Sequence, residues 1–520
     1  MKSKYLFFCF AFLFVVAIHA QNKNALRVKT EYGIVEGTVE QSGVYAFKGI
    51  PYAAAPTGDL RWREPQPPAK WTGIKQAKAF GPKPMQLPIY SDMQFRSSGM
   101  SEDCLYLNVW SPSDYQTSKL PVLVYFHGGG LSAGDGSEKR YDGAAMAAKG
   151  IVMVTLNYRL GIFGFFAHPE LTKESVHHAS GNYGFLDQHA ALVWVKKNIA
   201  AFGGDPDKVT IAGQSAGSRS VSTQMASPLS KNLFRAAIGE SGSMFATGKN
   251  PTLAEAEQKG IAFVSVANAE NVASLRKISA EKLLEIVAKE KSFRFGAIID
   301  GYFSPASPGE IYGTGLQADV PLLAGWNSAE ISYTSVLGKD APTVENYRNA
   351  VKKLYGDQAE DFLKHYPVAT DNDVMKAATD IASDRFNGYD TWKWIDLHGK
   401  TSGKPVYRYL YTQLLPLDDS TNIPAYRGAP HSAEIEYALG TLPISTAHRW
   451  NADDYKVSEI MNAYFVNFVK NTNPNGDGLP VWYGLQSSIP KVMVIDKNAH
   501  SEPEKNLKRY LFLDQYYNHE

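Results

Sequence analysis

The sequence predicts an α/β protein with a large, mostly parallel central sheet, helices on both faces and a small N-terminal antiparallel β element. Two observations point there. Continuous apolar runs such as LPVLVYF at 120–126, IVMVTL at 151–156, VPLLAGW at 320–326 and KVMVI at 491–495 alternate with helical stretches. Strands apolar on both faces belong to parallel sheets that are covered on either side. The second observation is the run FGGDPDKVTIAGQSAG at 202–217, which reads as strand, tight turn and helix start with a serine at the turn. The rest of the chain is organised around that unit.

In chain order, Lys2 and Lys4 precede an apolar run from Tyr5 to Ile18 that ends IHA before Gln21. Charged, apolar and small-residue parts in that order make a secretory signal, and the run is too short for a comfortable membrane span. Residues 1–20 are therefore expected to be removed and the mature chain to be exported, to the periplasm or beyond. Residues 21–520 are expected to form a single domain with no membrane span, since no repeat or low-complexity linker divides them. The only cysteines are Cys9 and Cys104. Loss of the signal leaves Cys104 alone, so no intramolecular disulfide is possible, and its place in the strand-like CLYLNVW suits a buried small apolar residue better than a nucleophile. Lysine plus arginine number 53 against 52 aspartate plus glutamate. A net charge of +1 supplies no basic field for nucleic acid.

Residues 27–48 alternate apolar and polar between glycine turns and predict an antiparallel hairpin or meander. A proline-rich surface stretch follows to Trp71, and residues 81–101 form a long loop without periodicity, of the kind that serves as a flap or a binding segment, with 84–101 expected to move as a flap over the site. Strands are expected at CLYLNVWSP, LPVLVYF, IVMVTLNYRL, KVTIA, FRAAIGES, VPLLAGW, PVYRYLYT and KVMVID. Helices are expected at Ala144–Lys149 and over HAALVWVKKNIAAF, AEKLLEIVAKE, VENYRNAVKKLYG and EIMNAYFVNFVKN. In the last of these Ile460, Tyr464 and Phe468 share one face, which reads as core packing.

The turn Gly213-Gln214-Ser215-Ala216-Gly217 is a nucleophile elbow. Its glycines let backbone segments pass closely, so the serine is held strained and exposed at a helix N-terminus, with the Ala216 N–H aimed at a developing oxyanion. A second match, Gly130-Leu131-Ser132-Ala133-Gly134, is followed by the turn-rich GDGSEK rather than by a helix, so Ser132 reads as a loop hydroxyl. Phe126-His127-Gly128-Gly129-Gly130 follows a buried strand, and its glycines allow two N–H groups to join Ala216 in an oxyanion hole. His127 is expected to brace that loop rather than carry protons.

A serine hydroxyl needs a base, and the base needs an acid to fix its tautomer. In a doubly wound hydrolase arrangement these follow in the order serine, acid, histidine on loops after strands. Glu330 follows VPLLAGW, with Asp340 and Glu434 as rival acids. His431 lies in GAPHSAEIEY; His365, His398 and His448 read as surface residues.

From about Arg27 to its C-terminus the chain resembles the type-B carboxylesterase family, which also holds cholinesterases, several fungal lipases and bacterial esterases. FGGDPDKVTIAGQSAG is similar to the family's serine signature and EDCLYLNVWSP to its second signature, while YFHGGG, LNYRLGIFGF, GNYGFLDQ and GAPH stand in the family's order. The resemblance implies an α/β-hydrolase fold, Ser215 as nucleophile, Glu330 as acid, His431 as base, and Gly128, Gly129 and Ala216 as oxyanion donors. It also implies structural ion pairs Arg61–Glu102 and Arg159–Asp187.

The sequence departs from the family pattern in three places. Gln214 stands where glutamate is usual, Ile331 replaces the glycine after the acid, and Pro84 takes the place of the cysteine that would pair with Cys104. The expectation is an exported serine carboxylesterase acting through an acyl-enzyme on small to medium soluble esters, with no metal or organic cofactor. An acylated polysaccharide fragment is a candidate substrate. The alternatives are a lipase acting at lipid interfaces, which would need an apolar lid, and a non-catalytic adhesion protein on the same fold.

Overall fold

A computed structural model describes residues 26–113, 115, 118–245, 250–417, 426–486 and 490–519. The expected signal segment lies outside the described residues. The central sheet runs, edge to edge, His500–Pro503, Lys491–Ile495, Val406–Tyr411, Leu322–Asn327, Ala236–Glu240, Gly204–Gln214, Leu120–Phe126, Val152–Leu156, Tyr106–Ser111, Tyr45–Pro51 and Thr38–Val39. Neighbours are parallel from Lys491–Ile495 across to Val152–Leu156, and antiparallel at both ends.

The continuous apolar strands are explained by two buried faces. In Leu120–Phe126, Val122, Val124 and Phe126 pack into the core on one side of the sheet, while Leu123 and Tyr125 pack into the other. Val152, Val154 and Met153 divide in the same way. With side chains alternating along a strand, burial of both sets requires helices on both sides. One cover is the helix Tyr183–Asn198, whose Leu192 and Val195 are fully buried. On the opposite side lies Ala452–Asn471, whose Tyr464 and Phe468 are buried as expected, with Ile460 partly buried against them.

The structure extends several predicted elements. The helix read from His189 begins at Tyr183, because Phe185, Leu186, Asp187 and Gln188 are all buried and leave no polar face to mark the start. The helix read from Glu459 begins at Ala452, closed by a capping box between Asn451 and Asp454. The N-terminal element also differs in its partners. Arg27–Lys29 pairs antiparallel with Ile34–Glu36, which takes Ile74–Gln76 as a parallel neighbour, whereas Thr38–Val39 and Tyr45–Pro51 join the main sheet.

Both expected ion pairs form. Arg159 meets Asp187 through Nε–Oδ2 at 2.8 Å and Nη2–Oδ1 at 2.7 Å, and Arg61 meets Glu102 at 2.6 and 2.5 Å. Cys104 is a buried free thiol whose ionisation burial suppresses. Beside it, where the family pattern would have a disulfide, Lys83–Pro84 and Met100–Ser101 close the base of the 84–101 loop as a short parallel ladder.

That loop is anchored well beyond its base. Gln86 bonds both the N–H and the carbonyl of Gly134 at 2.9 Å, Arg96 pairs with Asp142 at 2.6 Å, and Ser97 donates to Asp135 at 2.5 Å. Ile89 and Tyr90, between these anchors, are exposed.

Candidate active site

The parallel strands converge on one edge of the sheet, where the loops after Leu120–Phe126, Gly204–Gln214, Leu322–Asn327 and Val406–Tyr411 carry the site. Such strand ends are where open α/β sheets place ligands. Ser215 sits between the strand Gly204–Gln214 and the helix Ala216–Ala226 with φ 58° and ψ −120°. Its N–H donates to the Glu240 carbonyl at 2.8 Å, which fixes the turn.

The flanking glycines are there because of close contacts. A Cβ on Gly217 would lie 2.0 Å from the Phe126 carbonyl oxygen, and one on Gly213 would lie 2.5 Å from the carbonyl carbon of Gly217. Only glycine admits these approaches, and a non-glycine residue at positive φ marks stored strain.

His431 and Glu330 are brought together. Nδ1 of His431 lies 2.6 Å from Oε2 of Glu330, and the Glu330 side chain is fully buried while that of His431 keeps 23% exposure. The other Glu330 oxygen accepts from the Asn327 N–H at 2.6 Å. The Gln214 carboxamide nitrogen lies against the His431 ring, 3.4 Å from Nε2 and 3.5 Å from Nδ1. Gln214 thus touches the imidazole while its backbone continues directly into Ser215. Among the described residues the Ser215 hydroxyl makes no hydrogen bond. Phe386, on a π-helical turn at Asp384–Gly388, packs edge-on against the same imidazole at 5.0 Å.

The electrostatics favour a basic imidazole. Burial disfavours the charged ring, but Glu330, through its charge and hydrogen bond, and Glu434 more distantly outweigh it, and His431 is raised above its ordinary value against the pull of Arg140. His127 is the opposite case. Burial pushes it down to about 4, its Nδ1 lies 2.8 Å from the Gly128 carbonyl oxygen, and its ring stacks on Tyr158 at 4.3 Å. It braces the glycine loop and stays neutral.

The glycine loop differs from expectation at one donor. The Gly128 N–H is turned inward to the buried Tyr141 hydroxyl at 3.5 Å. The N–H groups of Gly129, Gly130 and Ala216 have no partner among the described residues. Gly129 and Gly130 have φ of 104° and 64°, which allows the chain to present successive N–H groups on one side.

The rivals fall elsewhere. Ser132 is half-buried and donates to the Gly130 carbonyl at 3.3 Å, and Asp340 is exposed beyond a helix end. His398, expected at the surface, is fully buried, with Nε2 2.8 Å from the Val320 carbonyl. The polar run around it hid a helix, Tyr389–Thr401, that turns this position inward.

Glu434 is not the residue on His431 but forms part of its support. Asn327 Nδ2 donates to it at 2.5 Å and Ser241 Oγ at 3.3 Å, and its carboxyl is raised by burial and by repulsion from Glu330. Behind it Glu240, raised by burial and by Glu434, accepts from the Tyr125 hydroxyl at 3.0 Å. Asn327 was missed in the sequence; its position three residues before Glu330 at a strand end was the available signal.

Two cavities flank the site. One of about 260 Å³ runs past His431 between Asp92, Arg140, Glu436 and Trp450. The other, of about 710 Å³, begins at Gly130–Ser132 and is lined by Leu87, Leu160, Phe165, Arg219 and Phe295 among others. Tyr90 and Met93 of the 84–101 loop reach the glycine loop, with the Tyr90 hydroxyl 3.0 Å from where a Cβ on Gly130 would be and the Met93 methyl equally near one on Gly129.

Residues 24–512 match the model of the carboxylesterase family. The chain is 36% identical over 478 residues to a fumonisin B1 esterase from Sphingopyxis macrogoltabida, covering 88% of this chain and 85% of that protein. It is 34% identical over 507 residues to the para-nitrobenzyl esterase of Bacillus subtilis, covering 93% and 98%. Among solved structures, a carboxylesterase from Geobacillus stearothermophilus superposes with a TM-score of 0.80 at 30% identity, covering 94% of this chain and 99% of the other. The α/β-hydrolase fold is therefore shared, and the chain belongs to the carboxylesterase family and is a carboxylic ester hydrolase.

Proposed function

We propose that the protein hydrolyses small to medium soluble esters through an acyl-enzyme on Ser215. His431 takes the Ser215 proton as the hydroxyl attacks the ester carbonyl. Glu330 holds the imidazole by Nδ1 and stabilises the imidazolium. The tetrahedral oxyanion is received by the N–H groups of Gly129 and Ala216, with Gly130 in the part expected of Gly128. His431 then protonates the leaving alcohol, and water, activated by the same imidazole, releases the acid.

The observation that carries this reading is the 2.6 Å contact between Glu330 and His431, set against the Gln214 side chain that adjoins the strained serine. In ligand-free sites the nucleophile–base hydrogen bond is often open and closes with substrate. The two flanking cavities suit the two arms of a small-molecule ester. No feature of the site favours a polysaccharide fragment.

Ser215→Ala should abolish turnover of p-nitrophenyl butyrate while leaving thermal unfolding within about 1 °C, and the wild type should show a stoichiometric p-nitrophenol burst. Retained turnover in the variant would overturn the assignment. We further propose export: the family match begins at residue 24, after the Tyr5–Ile18 run, and N-terminal sequencing of the secreted or periplasmic protein should start near Gln21.

A further inference from the structure

The larger cavity has an unbalanced charge. Four cationic side chains line it, Arg219, Lys259, Lys291 and Arg294, and no aspartate or glutamate does. The chain as a whole is nearly neutral, with a net charge of +1, so this is a local excess. Among the described residues no carboxylate lies in ion-pair contact with any of the four. Acids on the neighbouring segments engage other partners: Glu255 accepts from the Thr252 N–H at 2.8 Å, Glu257 from Thr172 at 2.5 Å, and Glu285 pairs with Lys282 at 2.9 Å. Arg219 is held by the Ser243 carbonyl at 3.2 Å and has the buried Asp390 within electrostatic reach, so its charge is partly met from behind. Lys259, Lys291 and Arg294 are exposed at the cavity wall.

The cationic wall is tied to the reacting end at two points. Arg219 lies one helical turn after Ser215, its N–H donating to the Ser215 carbonyl at 2.9 Å. Arg294 acts electrostatically on the Tyr90 hydroxyl, the group that reaches Gly130, against a larger opposing effect of Asp92. Between these cations the wall is apolar, with Leu131, Leu160, Phe165, Leu284, Phe293 and Phe295. The lining therefore suits an occupant that combines an apolar body with a negative charge. A purely apolar chain would leave the cations without a partner, and a cationic one would be repelled.

Building on the ester-hydrolase reading, we propose that this cavity selects esters in which one arm ends in a carboxylate, with Arg294, Lys291 and Lys259 as specificity-determining residues. The ester carbonyl sits at Gly129–Gly130, the methylene chain runs along the apolar wall, and the carboxylate reaches the cationic rim. Each rim contact is solvent-exposed and individually weak, so the selection comes from several acting together and is screened by salt.

The test compares matched esters on the full-length mature enzyme by pH-stat: monomethyl adipate against methyl hexanoate for the acyl arm, and 6-acetoxyhexanoate against hexyl acetate for the alcohol arm. The expected result, on one arm, is a kcat/KM ratio of anionic to neutral ester of about tenfold. That ratio should fall severalfold in Arg294→Gln and in Lys259→Gln/Lys291→Gln, and likewise in 0.5 M NaCl. A ratio within one protein does not depend on how much of the preparation is folded. Ratios at or below one on both arms, or a preference untouched by the substitutions, overturn the proposal and leave the hydrolase reading standing. Failure to cleave any of the four esters, together with no p-nitrophenol burst, counts against both.

Discussion

The carboxamide nitrogen of Gln214 lies against the His431 imidazole, 3.4 Å from Nε2 and 3.5 Å from Nδ1, the nitrogen that Glu330 holds at 2.6 Å. With Nδ1 donating to the Glu330 carboxylate, Nε2 carries the lone pair that would accept the Ser215 proton in the proposed mechanism. The neutral amide rests against the imidazole without adding charge to it. Gln214→Glu would place an anion there and favour the imidazolium further, raising the already raised His431. Because only the neutral ring accepts a proton, the acid limb of the kcat/KM profile should move to higher pH, with cationic esters gaining relative to neutral ones. An unmoved limb would show that the two side chains are not coupled.

The Arg159–Asp187 pair tests how much of the fold rests on a buried charge. Both side chains are almost completely buried, and the Arg159 N–H adds a third bond to Asp187 at 3.0 Å. Asp187→Asn leaves the guanidinium uncompensated and should cost about 3–5 kcal/mol in urea unfolding. A double replacement by apolar residues of similar volume should recover much of that loss.

Gly217→Ala should damage the elbow directly. The added Cβ would fall 2.0 Å from the Phe126 carbonyl oxygen, backbone that cannot retreat without moving the glycine loop next to it. Expected are a loss of about 1–3 kcal/mol in stability and about 100-fold in kcat/KM, since a displacement of this kind misplaces both the serine and the oxyanion donors. Urea titration and steady-state kinetics on the same preparation separate the two effects.

His398 should contribute to acid instability. Burial holds it down to about 4, against its ordinary 6.5, despite the Val320 carbonyl and Asp319 favouring the charged form. The unfolded chain takes up this proton near pH 6.5 and the folded chain only near 4, so the contribution is complete above pH 6.5 and is lost as pH falls towards 4. His398→Gln, which keeps a donor for Val320, should flatten the fall in unfolding free energy over that window by on the order of 3 kcal/mol.

The sequence by itself determined the sheet and the identity of the elbow. Strands such as Leu120–Phe126 are apolar at every position because both faces are buried, and that signal survives without any structure. The G-x-S-x-G turn is equally local, since Gly213, Ser215 and Gly217 are set by contacts within one strand–turn–helix unit and the strand beside it. Partnership across distance was implied for Glu330 and His431 by the family resemblance, but the residues themselves left rival acids open, and the tertiary structure shows why the pairing holds. Glu330 rather than Asp340 or Glu434 sits on His431, because the loop after Leu322–Asn327 crosses beneath Pro430 and the Asn327 side chain fastens the two at 2.7 Å. The inward turn of the Gly128 N–H depends on Tyr141, and the cationic wall draws on segments from Arg219 to Arg294 that have no periodicity in common. Hydrogen bonds and charges of this kind join residues far apart in the chain. Their geometry follows from packing, and no pattern of neighbouring residues encodes it.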